Sequence, residues 1–148
     1  MTVVDKTVKS QTEAISFEFD LRHSIEKVWR ALTDPVLLAE WLLPVVGLEL
    51  EPGTAFKFQK EPMPGWDGSV NCQVLEIEAH KKLSYTWVVG DMEIDTVVTF
   101  GLTPTPSGTR LTLVQSGFKP HQKQNWGGAR YGWRMMGGKL VELLAKIP

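Results

Sequence analysis

Few residues in this sequence have the type and spacing that catalysis or metal binding would need. His23, His80 and His121 lie in separate regions, and no two of them have the spacing of metal ligands on one helix. No Gly-x-Ser-x-Gly segment or phosphate-binding glycine loop is present. Cys72 is the one cysteine, which excludes an internal disulfide and a cysteine-rich zinc site. The sequence therefore predicts no metal site, no cofactor and no recognisable set of catalytic residues.

An enzymatic function stays open through two side chains. Catalysis in a cavity would need at least one ionisable group with a shifted pKa facing it. His121 and Arg130, near the start of the last predicted helix, are the candidates that we name. Glu93 and Asp95 share one face of a predicted strand, and the apolar alternation around them places that face outward. We expect those two acids to be solvated.

Aromatic side chains are the more informative set. Six Trp and six Phe are many for 148 residues. Aromatic residues dominate protein cores, but they also line pockets for small molecules. Core packing is the simpler interpretation for any single tryptophan, whereas the whole set also fits an aromatic-lined pocket. Cys72 has the same two interpretations, a small buried hydrophobe or a thiol that faces a pocket.

The composition describes a globular protein. The formal net charge is −1, hydrophobic residues make up 43% and charged residues 22%. The near-neutral charge argues against a nucleic-acid partner. No apolar run approaches the roughly 20 residues that span a bilayer, and residues 1–14 lack the apolar core of a signal peptide. We expect a cytoplasmic protein, with a flexible lead-in over residues 1–13 and one domain over residues 14–148.

Hydrophobic periodicity predicts an α+β fold. Residues 15–21 alternate as a strand, and two short helices follow. Ser24 is placed to cap the first helix, and Asp34 with Pro35 to begin the second. About six strands joined by turns fill residues 47–118, including a bulged strand near Val74 and a hairpin turn at Gly90.

A long amphipathic helix over residues 124–146 closes the chain. Gly137 lies at the margin of its apolar face, where it marks either close contact with the sheet or space beside Met136 for a ligand. Tyr131 and Met135 fall on the polar face. They are either ordinary exposed side chains or a contact with a partner, such as a second copy in a homodimer.

Several segments, in order, resemble the domain related to the activator of the Hsp90 ATPase, within the START-like (SRPBCC) helix-grip superfamily. The resemblance covers roughly residues 15–147. The segments that carry it are Val-Trp-Arg-Ala-Leu-Thr-Asp-Pro at 28–35 followed by Trp41, Leu-Ser-Tyr-Thr-Trp at 83–87, Val-Val-Thr-Phe at 97–100, Gly-Thr-Arg-Leu-Thr-Leu at 108–113, Ser-Gly-Phe at 116–118 and Gly-Trp at 132–133.

The resemblance implies a curved antiparallel sheet of about six or seven strands around the C-terminal helix, with an apolar cavity between them. It also implies binding of a small hydrophobic or aromatic ligand, either a lipid or a polyketide-like molecule. The expected anchor is the Tyr85 hydroxyl. The side chains expected to line the cavity are Trp41, Phe56, Phe58, Tyr85, Trp87, Val98, Phe100, Trp133 and Met136.

Two other functions occur among relatives of this kind. One is an enzyme of the cyclase, dehydratase or hydrolase type that uses the same cavity. The other is a co-chaperone that contacts an Hsp90, which would need an exposed patch large enough to dock a partner.

Overall fold

The fold is described from a computed structural model of residues 2–8 and 12–148. Within these residues the strands form one antiparallel sheet of eight strands, in the order β1-β2-β8-β7-β6-β5-β4-β3. Side chains on one face of the sheet are buried and those on the other are exposed. A long C-terminal helix and two short helices pack on the buried face, which confirms the predicted helix-grip architecture. The strands are β1 (Thr2–Asp5), β2 (Ala14–Leu21), β3 (Val45–Val46), β4 (Ala55–Gln59), β5 (Ser69–Glu78), β6 (Lys82–Val89), β7 (Ile94–Thr105) and β8 (Gly108–Ser116).

The two short helices begin at the residues that the sequence indicates. In α1 (Ile25–Thr33) the Ser24 side chain accepts a hydrogen bond from the backbone N–H of Lys27. In α2 (Pro35–Trp41) the Asp34 side chain caps the first turn in the same way, and Pro35 occupies the first helical position. These two helices carry the chain from β2 to the opposite edge of the sheet, where β3 begins.

Strands β3 to β8 form a meander in chain order. Strand β8 then pairs with β2, and β1 and β3 are the two edges of the sheet. The register of β5 against β6 shifts between Val74 and Glu76, so the predicted bulge is confirmed. The predicted turn at Gly90 is a short 3-10 turn over Gly90–Met92, followed by Glu93 in the left-handed region at φ 54°. This connection contributes Met92 to the wall of a pocket.

The first strand departs from the expected lead-in. Thr2–Asp5 pair with β2 as an edge strand, with Asp5 opposite Phe17. These residues show no strong alternation, and an edge strand with one neighbour needs less of it than a central strand. Met1 and residues 9–11, which belong to the same expected lead-in, lie outside the described residues.

The long helix α3 (Lys123–Lys146) packs its apolar side against the sheet. Trp126, Trp133, Leu140 and Leu144 are buried along it, as the periodicity predicts. No helix among the described residues combines the length and the apolarity that crossing a membrane takes.

Gly137 marks the closest contact of α3 with the sheet. A Cβ built at this position would lie 2.9 Å from Cε2 of Phe19 and 3.0 Å from its Cζ. Phe19 is 1% exposed and its ring is enclosed. The first of the two sequence interpretations is therefore correct, and no space for a ligand is left at Gly137. Gly138, its neighbour, has open space around it.

These two glycines allow a matched test of helix packing. We expect Gly137→Ala to lower the free energy of unfolding by about 1–3 kcal/mol, because the added methyl group displaces a buried ring. Gly138→Ala should raise it by up to about 1 kcal/mol, since alanine favours the helix and meets no neighbour. Urea denaturation of both variants measures the difference. Equal effects of the two substitutions would show that α3 does not approach Phe19 closely.

Candidate functional site

A pocket of about 460 Å³ opens between the sheet and the first two turns of α3. Trp87 and Val89 of β6, Ile94 of β7 and Gln115 of β8 form its sheet side. The remaining lining residues come from the connections and from α3: Met92, Phe118, Gln124, Asn125, Gly128 and Ala129. The volume lies within the range of about 300–1,000 Å³ that is usual for ligand sites.

The hydrogen bonds of Gln122 and a turn at Gly117 position the walls of this pocket. The Gln122 amide accepts a hydrogen bond from the backbone N–H of Lys119 at 2.9 Å and donates one to the carbonyl of Glu93 at 2.7 Å, which joins the start of α3 to the β6–β7 turn. The chain turns at Gly117, whose φ of 109° favours glycine. A Cβ at this position would also lie 3.0 Å from the carbonyl oxygen of Asp95. The turn directs Phe118, which is 3% exposed, into the pocket wall.

Gln115 is the buried polar residue at the base of the pocket, with 1% of its surface exposed. Its Oε1 accepts a hydrogen bond from Nε1 of Trp133 at 2.7 Å. Its Nε2 donates to Oγ1 of Thr96 at 2.9 Å, and that hydroxyl donates to the backbone carbonyl of Trp87 at 2.8 Å. An indole N–H can only donate, so Trp133 fixes which end of the amide is oxygen.

An aromatic cluster fills the space beside the pocket. The Trp133 ring lies 5.4 Å from that of Trp87 and 6.2 Å from that of Phe100, measured between centroids. Tyr85 and Phe100 continue the cluster at 6.2 Å. Such tilted and edge-to-face pairs stabilise a core beyond the burial of their area. The full cluster consists of Trp41, Phe56, Phe58, Tyr85, Trp87, Phe100 and Trp133.

The structure brings seven of the nine predicted ligand contacts together in this cluster, but only Trp87 among the nine also lines the pocket. Val98 is fully buried, and Met136 packs half-buried against the core. Trp41 is also enclosed, and its Nε1 donates to the carbonyl of Ala31 at 2.8 Å. Contact with a ligand stays a prediction for all nine residues.

Arg130, the first of the two catalytic candidates, points to the edge strand instead of the pocket. Its Nε donates to Oδ2 of Asp5 at 2.7 Å, and Nη2 of Arg134 contacts the same oxygen at 3.0 Å. Its guanidinium also lies 5.7 Å from the centre of the Trp126 ring. The group therefore fastens β1 to α3.

The histidines lie apart from the pocket wall and from one another. His121 is exposed in the turn before α3. His80 packs its ring 5.9 Å from that of Trp29. His23 accepts a hydrogen bond at Nδ1 from Lys27 at 3.1 Å, and burial together with this positive charge lowers its pKa. Among the residues that the structure describes, no three metal-binding side chains are grouped.

Burial makes the two weak acids of the interior poor nucleophiles. It raises the pKa of the Cys72 thiol to about 12, so the thiol stays protonated near neutral pH. Burial, and secondarily the proximity of Cys72, also raises the pKa of the Tyr85 hydroxyl well above its usual value. Neither residue lines the pocket.

Most of the pocket wall was not predicted from the sequence. One signal was available, because Gln115 follows Leu111 and Leu113 at the next inward position of β8. Thr96 occupies an inward position on β7 in the same way. Polar residues on the buried side of neighbouring strands indicate either a hydrogen-bonded pair or a site.

The fold and the pocket define a helix-grip protein, and the comparisons name the family. The model of the family "Activator of Hsp90 ATPase homolog 1-like protein" matches residues 22–145. The chain therefore belongs to this family. A comparison with curated proteins gave no match.

Solved structures share the whole architecture. A crystal structure from Mesorhizobium loti is 40% identical, with a TM-score of 0.84 over 91% of this chain and 98% of that one. One from Rhodobacter sphaeroides is 20% identical, with a TM-score of 0.77 over 99% and 100%. One from Nitrosomonas europaea is 25% identical, with a TM-score of 0.73 over 91% and 96%. The fold is thus preserved through extensive change in sequence.

The Asp5 carboxylate gives the attachment of β1 a defined pH dependence. Burial alone would raise its pKa, but hydrogen bonds from Thr7 and the Arg130 guanidinium outweigh burial and lower it. Because the pKa of Asp5 is lower in the folded protein, its charge stabilises the fold at pH values above the pKa in the unfolded chain, about 3.9. This stabilisation is lost as the pH falls through the pKa in the folded protein. We expect Asp5→Asn to lower the free energy of unfolding by about 1–2 kcal/mol at pH 7.

Urea denaturation between pH 7 and pH 3 checks this prediction. The difference between Asp5→Asn and the unchanged protein should shrink as the pH falls below about 4, because the unfolded chain then takes up a proton at Asp5 before the folded protein does. Glu18→Gln is the control, because the Glu18–Arg110 pair is exposed on both sides and contributes little. A difference for Asp5→Asn that stays constant with pH would contradict the role of the charge.

Proposed function

We propose that the protein binds a small hydrophobic or aromatic molecule, a lipid or a polyketide-like compound, in the pocket between the sheet and α3. The observation that carries the proposal is the composition of the wall. Trp87, Val89, Ile94 and Phe118 give it an apolar base, and three amide side chains supply polar groups. An apolar cleft with a few polar groups is the usual form of a small-molecule site.

Binding is favoured over catalysis by the groups that the pocket presents. The described side chains in its wall are apolar or carry amides, which recognise ligands by hydrogen bonds. Arg130 is held by Asp5 and His121 is exposed outside the wall. The cytoplasmic location and a contact with an Hsp90 stay predictions from composition and family resemblance.

Two neighbouring glycines of α3 with room for a side chain allow a matched test of the binding site. Gly127 and Gly128 both have open space where a Cβ would be, but only Gly128 lines the pocket. Flavone and laurate serve as the aromatic and lipid probes. We expect saturable quenching of tryptophan fluorescence and a raised melting temperature with at least one probe, because binding to the native state stabilises it.

Gly128→Leu should weaken that binding by about tenfold or more, since the new side chain occupies space at the pocket. Gly127→Leu is the matched control and should bind as the unchanged protein does. Both substitutions should stabilise the helix slightly, so a loss of binding cannot be attributed to unfolding. No saturable binding of either probe, or equal binding by both variants, would overturn the proposal.

A further inference from the structure

The Gln115 amide has hydrogen-bonding capacity that its protein neighbours do not use. A glutamine side chain has two N–H donors and two acceptor positions. Trp133 takes one acceptor position and Thr96 takes one donor. Within the described residues the second N–H of Gln115 has no hydrogen-bond partner, although the side chain is 1% exposed and lines the pocket.

The orientation of this amide is fixed by its neighbours. Trp133 can only donate, so it holds Oε1. The Thr96 hydroxyl hydrogen is directed to the carbonyl of Trp87, so Thr96 accepts from Nε2. Reversing the amide would leave the indole N–H facing an N–H group. Gln115, which lines the pocket, therefore keeps one N–H of Nε2 that neither Thr96 nor Trp133 uses.

We propose, building on the ligand-binding function above, that Gln115 selects uncharged ligands that carry a hydrogen-bond acceptor, such as a carbonyl oxygen, on an apolar ring system. A buried N–H without a partner is costlier than a carbonyl oxygen with one free lone pair, so the unmet need at Gln115 is for an acceptor. The apolar neighbours Val89, Ile94 and Phe118 exclude a ligand group that is charged, because no described side chain in the wall offers an opposite charge.

A matched pair of probes separates this selectivity from binding itself. Fluorene and 9-fluorenone have the same tricyclic skeleton, and they differ in a methylene group against a carbonyl group. The ratio of the dissociation constants of fluorene and 9-fluorenone is measured for each variant. The two probes differ in hydrophobicity, but this difference cancels when the ratios of two variants are compared. Isothermal titration calorimetry or competition against a fluorescent probe measures both constants.

We expect Gln115→Leu to reduce the preference for 9-fluorenone over fluorene by about tenfold, with little change in the affinity for fluorene. Gln73→Leu is the matched control, since it removes the same amide from an exposed position of β5 outside the pocket wall and should keep the preference. Gln115→Leu leaves the Trp133 N–H without its partner. The double variant Gln115→Leu with Trp133→Phe removes both polar groups together and guards against misfolding.

A measurement on the unchanged protein makes the test independent of the variants. The side-chain amide resonance of Gln115 in ¹H–¹⁵N spectra should shift on addition of 9-fluorenone and much less on addition of fluorene. Equal shifts, or an unchanged ratio in the Gln115 variants while both probes bind, would overturn the selectivity and leave the binding function standing. Failure of both probes to bind at the pocket would overturn the selectivity for ring systems with an acceptor, whereas the ligand-binding function is overturned only if flavone and laurate also fail to bind.

Discussion

The packing of Trp133 against the concave face of the sheet is the contact on which the interior depends. Its ring touches the rings of Trp87 and Phe100, and its N–H holds the amide of Gln115. The buried face of an eight-stranded sheet needs a cover, and α3 supplies it together with the two short helices. A buried indole that packs against two aromatic rings and is hydrogen-bonded at its nitrogen fixes the rotation of α3 as well as its distance from the strands.

Much of the architecture follows from local signals in the sequence. Alternation identified the strands around Phe17, Tyr85 and Val98, and capping residues identified the starts of both short helices. These signals are local, and the structure keeps them. The edge strand at Thr2–Asp5 escaped prediction because its stability comes from distant partners, β2 and the arginines of α3. Periodicity in a short segment contains no information about such partners.

The location of the pocket could be predicted less well than the fold. The sequence shows that aromatic side chains face inward, but it does not show whether they fill the space between sheet and helix or leave a gap in it. In the structure the rings of Phe58, Tyr85 and Phe100 close against one another in the middle of the interior. The pocket lies at the end of the sheet where α3 begins, and Gly128 of this helix lines it. The volume of a pocket is the space that side-chain packing leaves empty. Packing depends on side-chain rotamers, which the spacing of residues in the sequence does not determine.

The pairing of β2 with β8 has a consequence for how the chain acquires this fold. Ala14 lies opposite Ser116 and Leu21 opposite Thr109. Strand β2, near the N-terminus, therefore pairs with β8, the last strand to be synthesised. The strands between them can form a meander from local hairpins, but β2 keeps an unpaired edge until β8 arrives. Folding speed falls as contacting residues become more distant along the chain. During synthesis the pairing of β2 with β8 and the packing of α3 can therefore form only after most of the chain has emerged, and strand edges that are exposed before then favour aggregation.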